Sequence, residues 1–244
     1  VFVATDRTRL LVDAGLSRRE VKKRLAAIGE DLTALDAILI THEHSDHVSG
    51  LVPLSKGTNG RAIPVYLTHK TAPYIDWAET TPVVEAFQAG CGFTIGDIDV
   101  ASFTIPHDAA DPVGYTLTAH GIKVAIATDL GYVTDSLRVH LRKTDLVLLE
   151  SNHDLEMLRV GPYPWSVKQR VMSRRGHLSN EVAADFIRDD LDTCVSTVVL
   201  GHISEHNNHV ELVRNLAMKA LNGRALWTRL VVAEPGVQSD VFTY

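Results

Sequence analysis

The stretch ITHEHSDHVSG, residues 40–50, constrains this chain more than any other. His42, His44, Asp46 and His47 fall within six residues, directly after the apolar run LDAILIT, which reads as a short buried strand ending at Thr41. A surface loop has no need of so many imidazoles, and a core satisfies them only with difficulty. His42 and His44 alternate, so both rings face one side; Asp46 and His47 follow after a bend. Two imidazoles hold one divalent ion, and a carboxylate with an imidazole holds a second nearby, yet each ion needs further ligands. The fold must bring distant side chains to this loop.

The rest of the chain supplies candidates. Residues 1–5 and 9–15 read as a hairpin. LSRREVKKRLAAIG reads as a helix with a Ser17/Glu20 capping box, an apolar stripe of Val21, Leu25 and Ile28, and a stop at Gly29. A helix is expected from Val48 to Ser55, a strand at PVYLT, and helical pieces broken by proline over residues 70–87. DIDVASFTIPH reads as a strand stopping at Pro106-His107, and GYTLTAHGIKVAIATDLG as two strands around His120-Gly121 ending at Asp129. Then come a helix (133–144), a buried strand (145–151), helical pieces (153–173), a helix capped by Ser179, a strand ending at His202, a helix (209–221) and a last strand (225–234). Strands come first in meanders and later alternate with helices. The expectation is one domain over residues 1–244, of α/β (α+β) class, with two sheets packed together and helices outside.

His42, His107, Asp129, Glu150 and His202 each lie at or just past the C-terminal end of a predicted strand. Sites on α/β sheets gather there. His107, Asp129 and His202 are therefore the candidates to complete two metal spheres, and Asp129, with two carboxylate oxygens, is suited to bridge them. Paired ions about 3.5–4 Å apart share one water and lower its pKa, giving hydroxide at neutral pH. With no cysteine in the set, the N/O donors accept zinc, manganese or iron. His69, His120, His140 and His209 read as surface residues.

Net charge is −6, which excludes a global positive field for nucleic acid. A local patch is present instead: VKQRVMSRRGH places Lys168, Arg170, Arg174 and Arg175 just before His177, beside Tyr163 and Trp165. No run of eighteen apolar residues exists, so no membrane span is expected. The chain opens without Met inside a strand pattern and shows no signal peptide, so its natural start is expected upstream. The two cysteines, Cys91 and Cys194, form no disulfide framework and are expected as buried small hydrophobes, in keeping with a reducing cytoplasmic setting.

The pattern HxHxDH followed by His107, Asp129 and His202 resembles the metallo-β-lactamase fold superfamily. That resemblance implies a four-layer αββα sandwich of two mixed β-sheets flanked by helices, with a dinuclear site at one edge. By it, His42, His44 and His107 hold one metal, Asp46, His47 and His202 the other, and Asp129 bridges. Asp46 is expected to take a second role, orienting the nucleophile. Secreted β-lactamases usually carry Cys where Asp129 stands, and flavodiiron proteins carry HxExD. The intervals after His107 and Asp129 are too short for a tRNA-grasping arm or a β-CASP insertion. LLESNHD and RRGHLSN sit where ribonuclease Z has its HEAT and HST motifs; the resemblance implies that Glu150 orients, and His177 stabilises or protonates, a departing oxygen.

LLVDAGLS, THEHSDHVSGL, PHDAADPVGY, ATDLGYVTD, LESNHD, GPYPWSVKQR, GHLSN and LGHIS together closely resemble the bacterial YycJ/VicX (WalJ) family. This implies a dinuclear, metal-dependent phosphodiesterase with DNA as substrate, a 5′-to-3′ exonuclease on duplex DNA, and a link to the WalK/WalR two-component system. Two alternatives stay open: a small-molecule metallohydrolase acting on a cyclic phosphodiester, thioester or lactone, and a regulatory protein with a residual metal site.

Overall fold

The computed structural model describes residues 1–58, 60–222 and 227–244. The chain divides into two compact units, residues 1–104 with 109–113, and residues 105–108 with 114–244. Each carries a mixed sheet.

In the first unit, β1 (Phe2–Ala4) pairs antiparallel with β2 (Arg9–Val12). β3 (Ala37–Leu39), β4 (Val65–Thr68) and β5 (Val84–Phe87) then follow in parallel, giving the order β1-β2-β3-β4-β5. All three residues of β3 are buried, as in parallel strands covered on both faces. Helix α1 (Arg18–Ala27) begins where the Ser17 side chain accepts from the Glu20 amide, and it buries Val21 and Leu25. Those two join Leu11, Ile38, Ile40, Val65 and Leu67 in one apolar cluster. β6 (Gly92–Ile95) and β7 (Ile98–Thr104) form an antiparallel hairpin.

In the second unit, which takes in β8 (Val113–Ala119) from Gly114 onward, β8 pairs antiparallel with β9 (Ile122–Ala127). β10 (Leu146–Glu150), β11 (Thr197–Gly201) and β12 (Arg229–Val232) continue beyond β9 in parallel. Short helices α5 (Leu155–Val160) and α6 (Trp165–Val171) lead to α7 (Asn180–Asp189), which is capped by the Ser179 side chain, buries Ala183, Ala184, Phe186 and Ile187, and packs on α8 (Val210–Asn222). The register sets Leu149 of β10 beside Ala127 of β9, and Glu150 beside Gly201 of β11. Three adjacent parallel strands thus end together.

Several local expectations are corrected. Residues 70–87 are not helical pieces: a 3-10 turn at Ala72–Tyr74 is followed by β5, an edge strand with two exposed residues and therefore no clear alternation. β6, with one buried residue, had no periodic signal either. The single helix expected from Val48 to Ser55 is two short ones, α2 (Ser45–Val48) and α3 (Leu51–Ser55), separated at Gly50. There a Cβ would stand 1.9 Å from the Leu16 carbonyl oxygen. The helix at 133–144 is only the short α4 (Asp135–His140), capped by Thr134. Cys91 and Cys194 are both exposed, because each lies in a connection outside the strands. Of the last predicted strand, residues 225–226 lie outside the described residues. Among the described residues, no helix is long and apolar enough to cross a membrane.

Candidate active site

In the first unit, the site grows from the end of β3. Asp13, one residue past β2, takes a left-handed backbone (φ 61°), and its carboxylate accepts from the Thr41 amide at 2.9 Å. The Thr41 hydroxyl also donates to Asp13, so its oxygen is the acceptor for His42 Nδ1 at 3.0 Å. His47 Nδ1 donates to Asp13 Oδ2 at 2.9 Å. One half-buried carboxylate therefore orients two imidazoles and turns their Nε2 atoms outward as donors to a metal. His42 Nε2 and His44 Nδ1 converge at 3.0 Å, and Asp46 Oδ2 lies 3.5 Å from His47 Nε2. Gly15 is required behind this loop: a Cβ there would stand 1.5 Å from the Asp46 carbonyl oxygen. Glu43 points elsewhere, accepting from the Ala110 amide.

In the second unit, Asp129 lies just past β9, Glu150 ends β10 and His202 follows β11. Asp129 and His202 both adopt left-handed backbone, φ 61° and 55°. L-residues enter that region at a cost of about 1 kcal/mol, so the chain turns sharply where its donors project. Glu150 is fully buried. Its Oε1 accepts from His177 Nδ1 at 2.7 Å and from His202 Nδ1 at 3.0 Å, and its Oε2 accepts from the Leu130 and Leu178 amides at 2.9 and 3.0 Å. Asn152 Nδ2 braces the His202 carbonyl at 3.0 Å. His202 Nε2 stands 3.2 Å from Asp129 Oδ1. His107, almost fully buried, donates Nδ1–H to the Gly176 carbonyl at 3.0 Å, with Nε2 3.9 Å from Asp129 Oδ1.

Electrostatics follow from these contacts. Burial alone would raise the Glu150 carboxyl, but the charges and hydrogen bonds of His177 and His202 outweigh it and bring the pKa to about 2. Burial would lower His177, but the Glu150 charge and hydrogen bond, with Asp129 beside them, raise it. His107 is lowered by burial. His153 is buried too, and desolvation lowers its pKa to about 4. Its Nδ1 finds no hydrogen-bond partner among the described residues.

The donor chemistry fits divalent cations. Nδ1 of His42, His47, His107 and His202 is each engaged by a protein acceptor, which selects Nε2 as the ligand atom, while His44 presents Nδ1. Asp129, Glu150, His177 and His202 each offer a donor atom within 4.8 Å of the others.

Sequence reasoning assigned no role to Asp13, Thr41 or Asn152. Asp13 sits at a strand end like the other site residues, a signal that would have found it. The basic patch is altered. Lys168 is buried and donates to the Arg159 carbonyl, and Arg170 pairs with Asp108. Trp165 is exposed, whereas a Pro-aromatic stretch usually enters a core.

A family model described as a beta-lactamase superfamily domain matches residues 8–203. Exodeoxyribonuclease YycJ of Bacillus anthracis is 39% identical over 217 residues, covering 88% of this chain and 81% of the relative. Exodeoxyribonuclease WalJ of Streptococcus pneumoniae serotype 2 is 37% identical over 230 residues, covering 90% of this chain and 84% of the relative. Among solved structures, the metallo-β-lactamase fold protein YhfI from Bacillus subtilis aligns with a TM-score of 0.72 at 18% identity. That alignment covers 97% of this chain and 89% of YhfI, and is a likeness of fold.

Proposed function

The chain belongs to the beta-lactamase superfamily and, within it, to the YycJ/WalJ family, and on that premise we propose that it is a metal-dependent nuclease that degrades duplex DNA from the 5′ end. His42, His44 and His107 would hold one divalent ion, Asp46, His47 and His202 a second, and Asp129 both. Zinc, manganese and iron all suit these donors. When bound, the ions supply Lewis acidity toward the phosphate oxygens and a nucleophile at neutral pH.

The chain's own contribution to bond breaking is a proton. Cleaving a phosphodiester expels an alkoxide, a poor leaving group unless protonated, and a positioned acid is worth about 10²–10⁴-fold. His177 is the group in this reading that delivers it. Its Nδ1–H is committed to Glu150, so the ring presents Nε2 as the tip that carries and donates the proton. The Glu150 charge and hydrogen bond, with Asp129 beside them, raise its pKa, which favours the protonated ring. Glu150 acts through His177 and His202 and is a positioning residue. Asp46, more exposed than the other donors, is the carboxylate suited to orient the attacking group.

The Glu150–His177 pair carries this reading, because hydrolysis of an ester with a good leaving group has no use for it. The test is a comparison of leaving groups. His177→Ala should lose about 10²–10⁴-fold on end-labelled duplex DNA with Mn²⁺ or Zn²⁺, yet stay near the parent on bis(4-nitrophenyl) phosphate, whose leaving group needs no proton. Equal losses on both substrates would remove the acid role. No cleavage of any DNA by metal-loaded parent protein would sink the nuclease reading and favour a small phosphodiester or thioester.

A further inference from the structure

The segment from Lys168 to His177 holds four cations whose partners differ in kind. Lys168 is buried and spent on the Arg159 carbonyl, and Arg170 is neutralised by Asp108. Arg174 lies with its guanidinium carbon 4.1 Å from the centroid of the Tyr132 ring. Arg175 donates through Nε to the His107 carbonyl at 3.3 Å. Neither Arg174 nor Arg175 pairs with a carboxylate among the described residues, and both are exposed. In a chain with 30 acidic and 24 basic residues, that is a choice of partners worth explaining. A ring face and a carbonyl oxygen fix the direction of a guanidinium without cancelling its charge.

The loop that carries them is held by its own hydrogen bonds. The Gly176 amide donates to Ser173 O at 3.0 Å, the His177 amide to Val171 O at 2.9 Å, and the Arg175 amide to Ser173 Oγ at 3.2 Å. A Cβ at Gly176 would stand 2.1 Å from Val171 O, so the turn closes only around glycine. The same glycine accepts from His107 Nδ1. One turn thus fixes His107, His177 and Arg175 together, while the loop after Asp129 holds Arg174 through Tyr132.

From this we infer that Arg174 and Arg175 form a backbone clamp that binds the DNA phosphates next to the scissile one. The inference rests on the nuclease reading. Arg175 is anchored at Nε, and its terminal amino groups are the fork that takes a phosphate in a bidentate fashion. Arg174, backed by the ring, takes the neighbouring phosphate. Contacts of this kind hold the strand in register without reading its sequence.

The test uses full-length, metal-loaded protein with Arg174→Gln/Arg175→Gln, Arg175→Lys, and Lys219→Gln on α8 as a single-charge control. On duplex DNA the double variant should raise KM tenfold or more, by the weight of about one charge-assisted bond, with kcat near the parent. The slope of log affinity against log salt should fall by about 2. Arg175→Lys should keep the salt slope but bind more weakly, and Lys219→Gln should change neither. Hydrolysis of bis(4-nitrophenyl) phosphate, which has no flanking phosphates, should be equal in all variants. A parent that degrades DNA and a double variant with unchanged KM and salt slope would overturn the clamp and leave the nuclease reading standing. Equal loss on the small ester would also overturn it, showing damage to the site. A parent inactive on DNA would overturn the nuclease reading itself.

Discussion

Glu150 Oε1 lies 2.7 Å from His177 Nδ1, inside a carboxylate that also receives His202 and two backbone amides. The four donors leave this buried anion fully satisfied, and they couple a proposed proton donor to a proposed metal ligand through one oxygen.

Glu150→Gln therefore tests more than a charge. Without the carboxylate, the His177 pKa falls back toward or below its ordinary value, because Glu150 is the main cause raising it. A general acid works only while protonated, so the alkaline limb of kcat on DNA should move to lower pH. Activity at neutral pH should drop about 10²-fold or more. A pH–rate profile unchanged in position would refute the coupling.

Asp13→Asn removes the charge and leaves one accepting oxygen where the carboxylate offers two, so His47 and the Thr41–His42 relay can no longer both be served. Losing an orienting carboxylate of this kind weakens metal affinity about 10–100-fold. Competition against a chelator of known affinity measures it directly, with Asp36→Asn, at a pair remote from these histidines, as a control.

Gly176→Ala should disturb two imidazoles at once, since the added methyl meets the Arg170 and Val171 carbonyl oxygens at 2.2 and 2.1 Å. Overpacking of this sort costs about 1–3 kcal/mol. The melting temperature should fall, and DNA cleavage should fall further than stability alone explains. Full activity in a folded variant would show that the turn is not needed to place His107 and His177.

His153 predicts an acid-side instability in metal-free protein. Burial depresses its pKa from 6.5 to about 4, so the unfolded chain binds the extra proton first. The stability this neutral ring contributes is complete above pH 6.5 and is lost as pH falls toward 4, a change of roughly 3 kcal/mol. Urea unfolding in chelator at pH 7 and pH 4.5 should show a smaller difference in His153→Leu than in the parent. An identical pH dependence in the two proteins would contradict the assignment.

How much of this was legible in the sequence depends on what each residue's neighbours advertise. The strand-end positions of His42, Asp129, Glu150 and His202 could be read because the strands before them are largely apolar runs, and that of His107 because DIDVASFTI alternates up to Pro106. Their assignment to particular ions came from family resemblance, since spacing does not say which donors share a metal. β5 escaped because VEAF is an edge strand with an exposed middle, and β6 because only Ile95 is buried. Lys168 misled because a long amine can follow a buried stem to a carbonyl, so a basic residue on a helix need not face solvent. Asp13 was hidden by being ordinary: its role appears only when Thr41 and His47, distant in sequence, arrive beside it.

The left-handed backbone at Asp13, Asp129 and His202 sets a trap for anyone improving this protein by heat. Glycine or asparagine tolerates such a turn better than histidine does, so a screen that rewards only thermal endurance would favour replacing His202 first and the aspartates after it. The winners would be sturdier proteins with the donors erased. Any such campaign must select on turnover alongside survival, because at these three positions the two pull in opposite directions.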